Sequence, residues 1–208
     1  MNVAILGPGR VGVGLAKLWV AAGHEVVLSF GRDEVKLHAS AASAGARVEA
    51  PADAVAAADV VVLATPFAVI SGALEAAGDL SGKTLIDCTN NLASDGQAAL
   101  ELILDQAPDV NVVKAFNTAF ATLYDDIRDT HPDLLFCGDD AEAKAQAAAL
   151  IRDAGYEPLD AGSLAIAADM EAFARVVMAV AGQGRGAVVY RFGQPTELER
   201  KRTVDSHV

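Results

Sequence analysis

The stretch that most constrains this chain is Gly7-Pro8-Gly9-Arg10-Val11-Gly12, which follows the apolar run Asn2-Val3-Ala4-Ile5-Leu6 without a spacer. Three glycines at this spacing, between a strand and a helical pattern, have separate jobs. Gly7 permits a tight turn, Gly9 lets backbone approach a pyrophosphate, and Gly12 allows the helix to lie close on the strand. The free amides of the helix's first turn, and its dipole, then face an anion. The hexapeptide predicts a dinucleotide site whose phosphate-facing part is Gly7, Pro8, Gly9, Arg10, Val11 and Gly12.

The rest of the chain supplies the context that motif needs. Short β-rich runs at 2–6, 25–29, 46–49, 59–64, 83–88, 110–115, 133–137 and 155–160 alternate with helical stretches near 10–22, 33–44, 51–58, 67–77, 95–106 and 139–154. Such alternation predicts an α/β, Rossmann-type, doubly wound and mainly parallel sheet. The run Asp59–Ala64 is apolar throughout after its first residue, as a strand covered on both faces should be. Ser94 with Gln97 and Asp139 with Glu142 have capping-box spacing, and Gly23 and Gly155 sit where helices end. From Ser163 one long helical stretch, roughly 163–191, carries Asp169, Glu171 and Arg175 among apolar residues, with Gly182, Gly184 and Gly186 marking a break. Residues 1–162 therefore read as a dinucleotide-binding domain, and 163–208 as a C-terminal helix and polar tail. That helix would cover the cleft or pair with a second subunit, and a homodimer is the favoured expectation.

Composition removes several alternatives. Of 208 residues, 16 are basic and 28 acidic, a net charge of -12 that disfavours nucleic acid as a partner. The charge is uneven: residues 185–208 hold five basic and three acidic side chains, including Arg200-Lys201-Arg202, which leaves -14 on the preceding 184. No apolar run approaches the roughly 18 residues of a membrane span, so no membrane association is expected. Cys88 and Cys137 lie far apart without a histidine cluster, so neither a disulfide framework nor a metal site is indicated. The opening residues form a strand pattern rather than a leader, and a cytoplasmic location is expected.

Ligands of open α/β sheets lie beyond the C-terminal strand ends, and the residues there narrow the chemistry. The second strand closes as Ser29-Phe30-Gly31-Arg32-Asp33, with no carboxylate for a ribose 2′-hydroxyl. Ser29, Arg32 and Lys36 could instead meet a 2′-phosphate, which favours NADP(H). Thr65 would cap the next helix with Pro66 and Phe67 behind it, and Thr89 and Asn90 would meet the nicotinamide end. His24 and His131 read as lying at the opposite edge, His38 on a helix and His207 in the tail, so no catalytic residue is assigned. An alcohol dehydrogenase needs a tuned proton donor, whereas hydride exchange between redox cofactors needs mainly positioning, and this sequence fits the second. Two other readings stay open: a short imine or hydroxyacid reductase using Lys114 and Asn117 as polarising groups, and a non-catalytic NADP(H)-binding sensor.

Several of these segments together resemble the deazaflavin (coenzyme F420)-dependent NADP oxidoreductases and the related cytosolic reductase domain of membrane ferric reductases. The resemblance rests on the glycine-rich start, Gly23-His24-Glu25, Thr65-Pro66, Thr89-Asn90, Cys137-Gly138-Asp139-Asp140 and Pro158-Leu159-Asp160-Ala161-Gly162. It implies a dimer with NADP on the residues named above and reversible hydride transfer to a deazaflavin or flavin-like acceptor. Departures stand beside it: Ser29 and Arg32 are separated by two residues where the family has consecutive Ser and Arg, and Asn91 replaces a common proline.

Overall fold

The computed structural model describes residues 1–92, 98–124, 126–127 and 130–194. The Ser94–Gln97 capping pattern, Arg200-Lys201-Arg202 and His207 lie outside them.

Among the described residues there are eight strands, where eight were expected: β1 Asn2–Leu6, β2 Glu25–Ser29, β3 Arg47–Val48, β4 Val60–Leu63, β5 Thr84–Asp87, β6 Asn111–Lys114, β7 Asp133–Gly138 and β8 Glu157–Asp160. They form one sheet in the order β3-β2-β1-β4-β5-β6-β7-β8, with β1 to β6 parallel. The Rossmann-type α/β class is as the alternation predicts. Successive strand residues feed opposite faces, as the period of two requires. Val3 and Ile5 pack under α1 Arg10–Ala21, α2 Glu34–Ala44 and α6 Ala141–Asp153, while Ala4 and Leu6 pack under α3 Pro51–Ala57, α4 Ile70–Ala77 and α5 Ala99–Gln106. The buried Trp19 indole donates to the Leu150 carbonyl at 2.8 Å and so ties α1 to α6. Gly23 and Gly155 hold the left-handed conformation expected after α1 and α6, at φ 91° and 92°. The cap of α6 is shifted by one residue: Asp140, not Asp139, accepts from the Ala143 amide, and Asp139 accepts from Leu164 instead.

Two departures from the sequence reading matter for function. First, β7 runs antiparallel to β6, pairing Val113 with Gly138 and Lys114 with Cys137. The chain therefore stays at the C-terminal edge after β6, and residues 116–122 of the connection that follows line the cleft. His131 sits at that edge and not opposite it, because an antiparallel strand starts where its parallel neighbour ends. Second, the terminal helix is shorter than 163–191. Here α7 covers Ala167–Val180, and the wide turn Ala181–Arg185 ends it at Gly184 and Gly186, both with positive φ. The chain then folds back, with Asp133 N donating to the Tyr190 carbonyl at 3.2 Å and the Tyr190 hydroxyl 2.6 Å from Thr118 Oγ1. Within the chain α7 covers the cleft, with Val176 and Val180 left exposed. Among the described residues no helix is long and apolar enough to cross a membrane.

Candidate functional site

The strand order reverses between β1 and β4, and the loops leaving these two strands press against each other. Gly7 has φ 116°, donates its amide to the Ser29 carbonyl at 3.0 Å, and would place a Cβ only 2.6 Å from the Ala64 carbonyl oxygen. Gly12 is tighter still: its Cβ would lie 2.1 Å from the Gly7 oxygen. Gly9 is the opposite case. It is exposed, nothing lies nearer than 4.0 Å to where its Cβ would be, and it caps α1 without any side-chain bond. Two glycines thus close the turn and the third leaves it open, beside first-turn amides that no side chain satisfies. Pro8 flanks this opening; Arg10 is exposed, and Val11 is half-buried.

Thr65, at the end of β4, is buried and touches the same turn. It does not cap a helix as expected. Pro66 itself occupies the cap position of the short 3₁₀ turn Phe67–Val69, which has no side-chain cap, and Phe67 packs half-buried against the apolar face under α3 to α5. The Thr65 hydroxyl is left buried without a partner, a costly state that a ligand in the crevice would relieve.

The β2 end needs one correction. Ser29 is fully buried and its hydroxyl donates to the Glu49 carbonyl at 2.7 Å, so its proton is already committed between strands and cannot serve a 2′-phosphate. Arg32 is exposed with no ion pair among the described residues. Asp33 caps α2 by accepting from the Lys36 amide, and the Lys36 ammonium lies 3.6 Å from the same carboxylate.

Thr89 also departs from its expected role. Its hydroxyl and its amide both donate to Asp87 Oδ1, at 2.6 and 2.8 Å, and its carbonyl accepts from Lys114 at 2.6 Å. Three buried charges meet here. Lys114 Nζ donates to Asp87 Oδ2 and to Glu171 Oε1, each at 2.8 Å. Burial works against the ammonium, but the two carboxylates outweigh it and hold the Lys114 pKa above the ordinary lysine value. Glu171 also accepts from the amides of Asn91 and Ala99, so α7 grips both ends of the segment that follows β5. With all three donor protons spent and no exposed surface, Lys114 has none left to polarise a substrate, which leaves Asn117 alone of the two polarising groups named for an imine or hydroxyacid reductase.

A cavity of about 310 Å³ opens from Arg10 and Val11 across the ends of β5 and β6 to Ala174, Val177 and Met178 of α7. Its polar lining comprises Cys88, Asn90, Asn117, Thr118 and Thr122, with Arg10 as its one charged residue among those described. Burial and then the Asp87 charge push the Cys88 thiol far above its usual pKa, and burial lifts Cys137 to about 11, so neither is a thiolate. His131 is exposed and outside the cavity lining. Asn117 was marked by the sequence only as a polarising group, and the terminal helix was expected to cover the cleft or pair with a second subunit, without the residues of α7 that line the cavity being named.

This is the architecture of a dinucleotide-binding oxidoreductase. Residues 2–91 match the family described as NADP oxidoreductase, coenzyme F420-dependent. A solved structure from Arthrobacter sp. FB24, of a protein named as a proposed F420-dependent NADP-reductase, superposes with a TM-score of 0.81 at 30% identity, covering 93% of this chain and all of the other. The rat metalloreductase STEAP3 is 34% identical over 176 residues, which is 82% of this chain. The chain spans only 36% of that relative's length. An imine reductase from Streptomyces aurantiacus, 19% identical with a TM-score of 0.69 over 88% of this chain and 64% of its own, shares the fold. The chain belongs to the F420-dependent NADP oxidoreductase family, whose members are NADP-dependent oxidoreductases.

Proposed function

We propose that the chain holds NADP(H) across the β1/β4 switch point and passes reducing equivalents to a deazaflavin or flavin-like acceptor in the cavity under α7. The residues fit the dinucleotide: the open space at Gly9 receives the pyrophosphate, the first-turn amides of Arg10, Val11 and Gly12 face it, and the orphaned Thr65 hydroxyl gains a partner. Arg32 supplies the charge for the 2′-phosphate, with Lys36 one turn on, while Pro66 and Phe67 border the dinucleotide. Asn90 stands where the nicotinamide end would reach the cavity. When bound, NADPH supplies a hydride, and the acceptor ring takes it with a proton from solvent.

The observation that carries this reading is that the cavity's described lining offers no proton donor or base of suitable pKa, Arg10 being its one charged residue. That described lining contains no histidine, lysine, tyrosine or carboxylate, so the protein offers position rather than acid–base chemistry. The test is an NADPH fluorescence titration followed by addition of a deazaflavin, a free flavin, a cyclic imine and an α-keto acid. Saturable binding with oxidation by the deazaflavin or flavin is the expected result. Tight binding with no oxidation by any acceptor would make the protein an NADP(H) sensor instead.

A further inference from the structure

Two side-chain amides meet at the cavity wall, one from the loop after β5 and one from the loop after β6. Asn90 Nδ2 donates to the Asn117 main-chain carbonyl at 2.7 Å. Asn117 Nδ2 donates to Asn90 Oδ1 and to the Met170 carbonyl on α7, both at 3.0 Å. Neither amide can be turned over: a backbone carbonyl only accepts, so exchanging nitrogen and oxygen in either residue would set acceptor against acceptor. With both donor protons of Asn117 spent, its Oδ1 is left buried and without a partner, although the residue is only 7% exposed and lines the cavity.

The side-chain amide and hydroxyl beside it on this wall are engaged, Thr118 by Tyr190 and Asn90 by Asn117. The backbone is also strained at this point. Phe116 has φ 59°, a left-handed conformation that a bulky residue adopts only under constraint, and its ring is wedged edge-on against Trp19 and Tyr156 at centroid distances of 5.7 and 6.2 Å. The core thus fixes the turn that delivers Asn117 to the wall.

We infer that the Asn117 side-chain carbonyl is a recognition group, accepting a hydrogen bond from an amide or imide N–H on a planar heterocycle seated in this cavity. The inference rests on the reading that the cavity takes the nicotinamide and its acceptor, and both carry such an N–H: the nicotinamide carboxamide and the imide edge of a flavin or deazaflavin. An unpaired buried carbonyl gains most from a ligand that donates to it, so a ligand lacking the donor loses affinity about tenfold or more.

Two arms on the unaltered protein separate the sources, each read as binding by fluorescence and so independent of turnover. One compares NADPH with its reduced 3-acetylpyridine analogue, in which a methyl replaces the carboxamide NH₂. The other compares a flavin with its N3-methyl derivative. A loss of about tenfold or more in one arm is expected and names the ligand. Asn117→Ala should then bring that pair of ligands to equal affinity, a ratio within one protein that general destabilisation does not move. Equal affinities in both arms, or a ratio that survives Asn117→Ala, would overturn the assignment. Absence of any NADPH binding would remove the underlying functional reading and this one with it.

Discussion

The turn between β1 and α1 and the charged cluster around Lys114 lie along the same edge of one sheet and are built on opposite terms. The turn has almost no side chains: Gly9 leaves space, α1 starts without a side-chain cap, and the nearby Thr65 hydroxyl is unpaired. The cluster is all side chain. Lys114, Asp87 and Glu171 are fully buried or nearly so, and the lysine's three protons are all matched. Polar groups left without partners mark where a ligand belongs, while polar groups saturated by one another mark architecture. Lys114, as a strand-end lysine at the cleft, would pass for a catalytic group by position alone, and only its bonding says otherwise.

The contrast breaks most visibly at Lys114. Lys114→Met leaves two carboxylates buried without their cation and should cost about 3–5 kcal/mol in denaturant unfolding. A variant near wild-type stability would show the cluster to be dispensable. The same ion pairs give a pH signature. Because the folded-state pKa lies above the ordinary 10.5, the stabilisation is fully present below pH 10.5 and fades as pH rises through the folded value. Wild type should therefore lose more stability than Lys114→Met on the alkaline side.

At the turn the expected effects fall on the ligand. Gly12→Ala puts a methyl 2.1 Å from the Gly7 oxygen, so about 1–3 kcal/mol of stability and at least tenfold in NADPH affinity should go together. Arg32→Ala should weaken NADPH by about 1–3 kcal/mol while leaving NADH unchanged, measured as the ratio of dissociation constants. The smallest change is expected for Ser29→Ala, about 1 kcal/mol of stability from the lost bond to Glu49 with the NADPH/NADH ratio unmoved. A shift in that ratio would return Ser29 to the phosphate site.

Much of the frame was legible because period and punctuation are local. Strand cores such as Val60–Leu63, the glycines after α1 and α6, and the glycine break after α7 each declare themselves within a few residues. The direction of β7 does not, since an apolar run of the same composition serves a parallel or an antiparallel neighbour. That one sign moved residues 116–122, with Phe116 and Asn117, to the cleft. The Lys114 cluster joins residues 27 and 57 positions apart, and its only local trace is a charge set in each of three apolar segments. The roles expected of Ser29, Thr65 and Thr89 moved for a related reason: sequence shows that a hydroxyl exists, not which acceptor claims it.

The amino-acid order alone determined the Rossmann-type frame and its glycine-rich turn, because a glycine's missing side chain and a strand's alternation act over a handful of neighbouring residues. Tertiary packing decided which polar groups remain available at the cleft. Hydrogen-bond capacity is finite, and whether Lys114, Thr89 or Asn117 has any to spare depends on partners that the chain brings in from β5, the loop after it and α7.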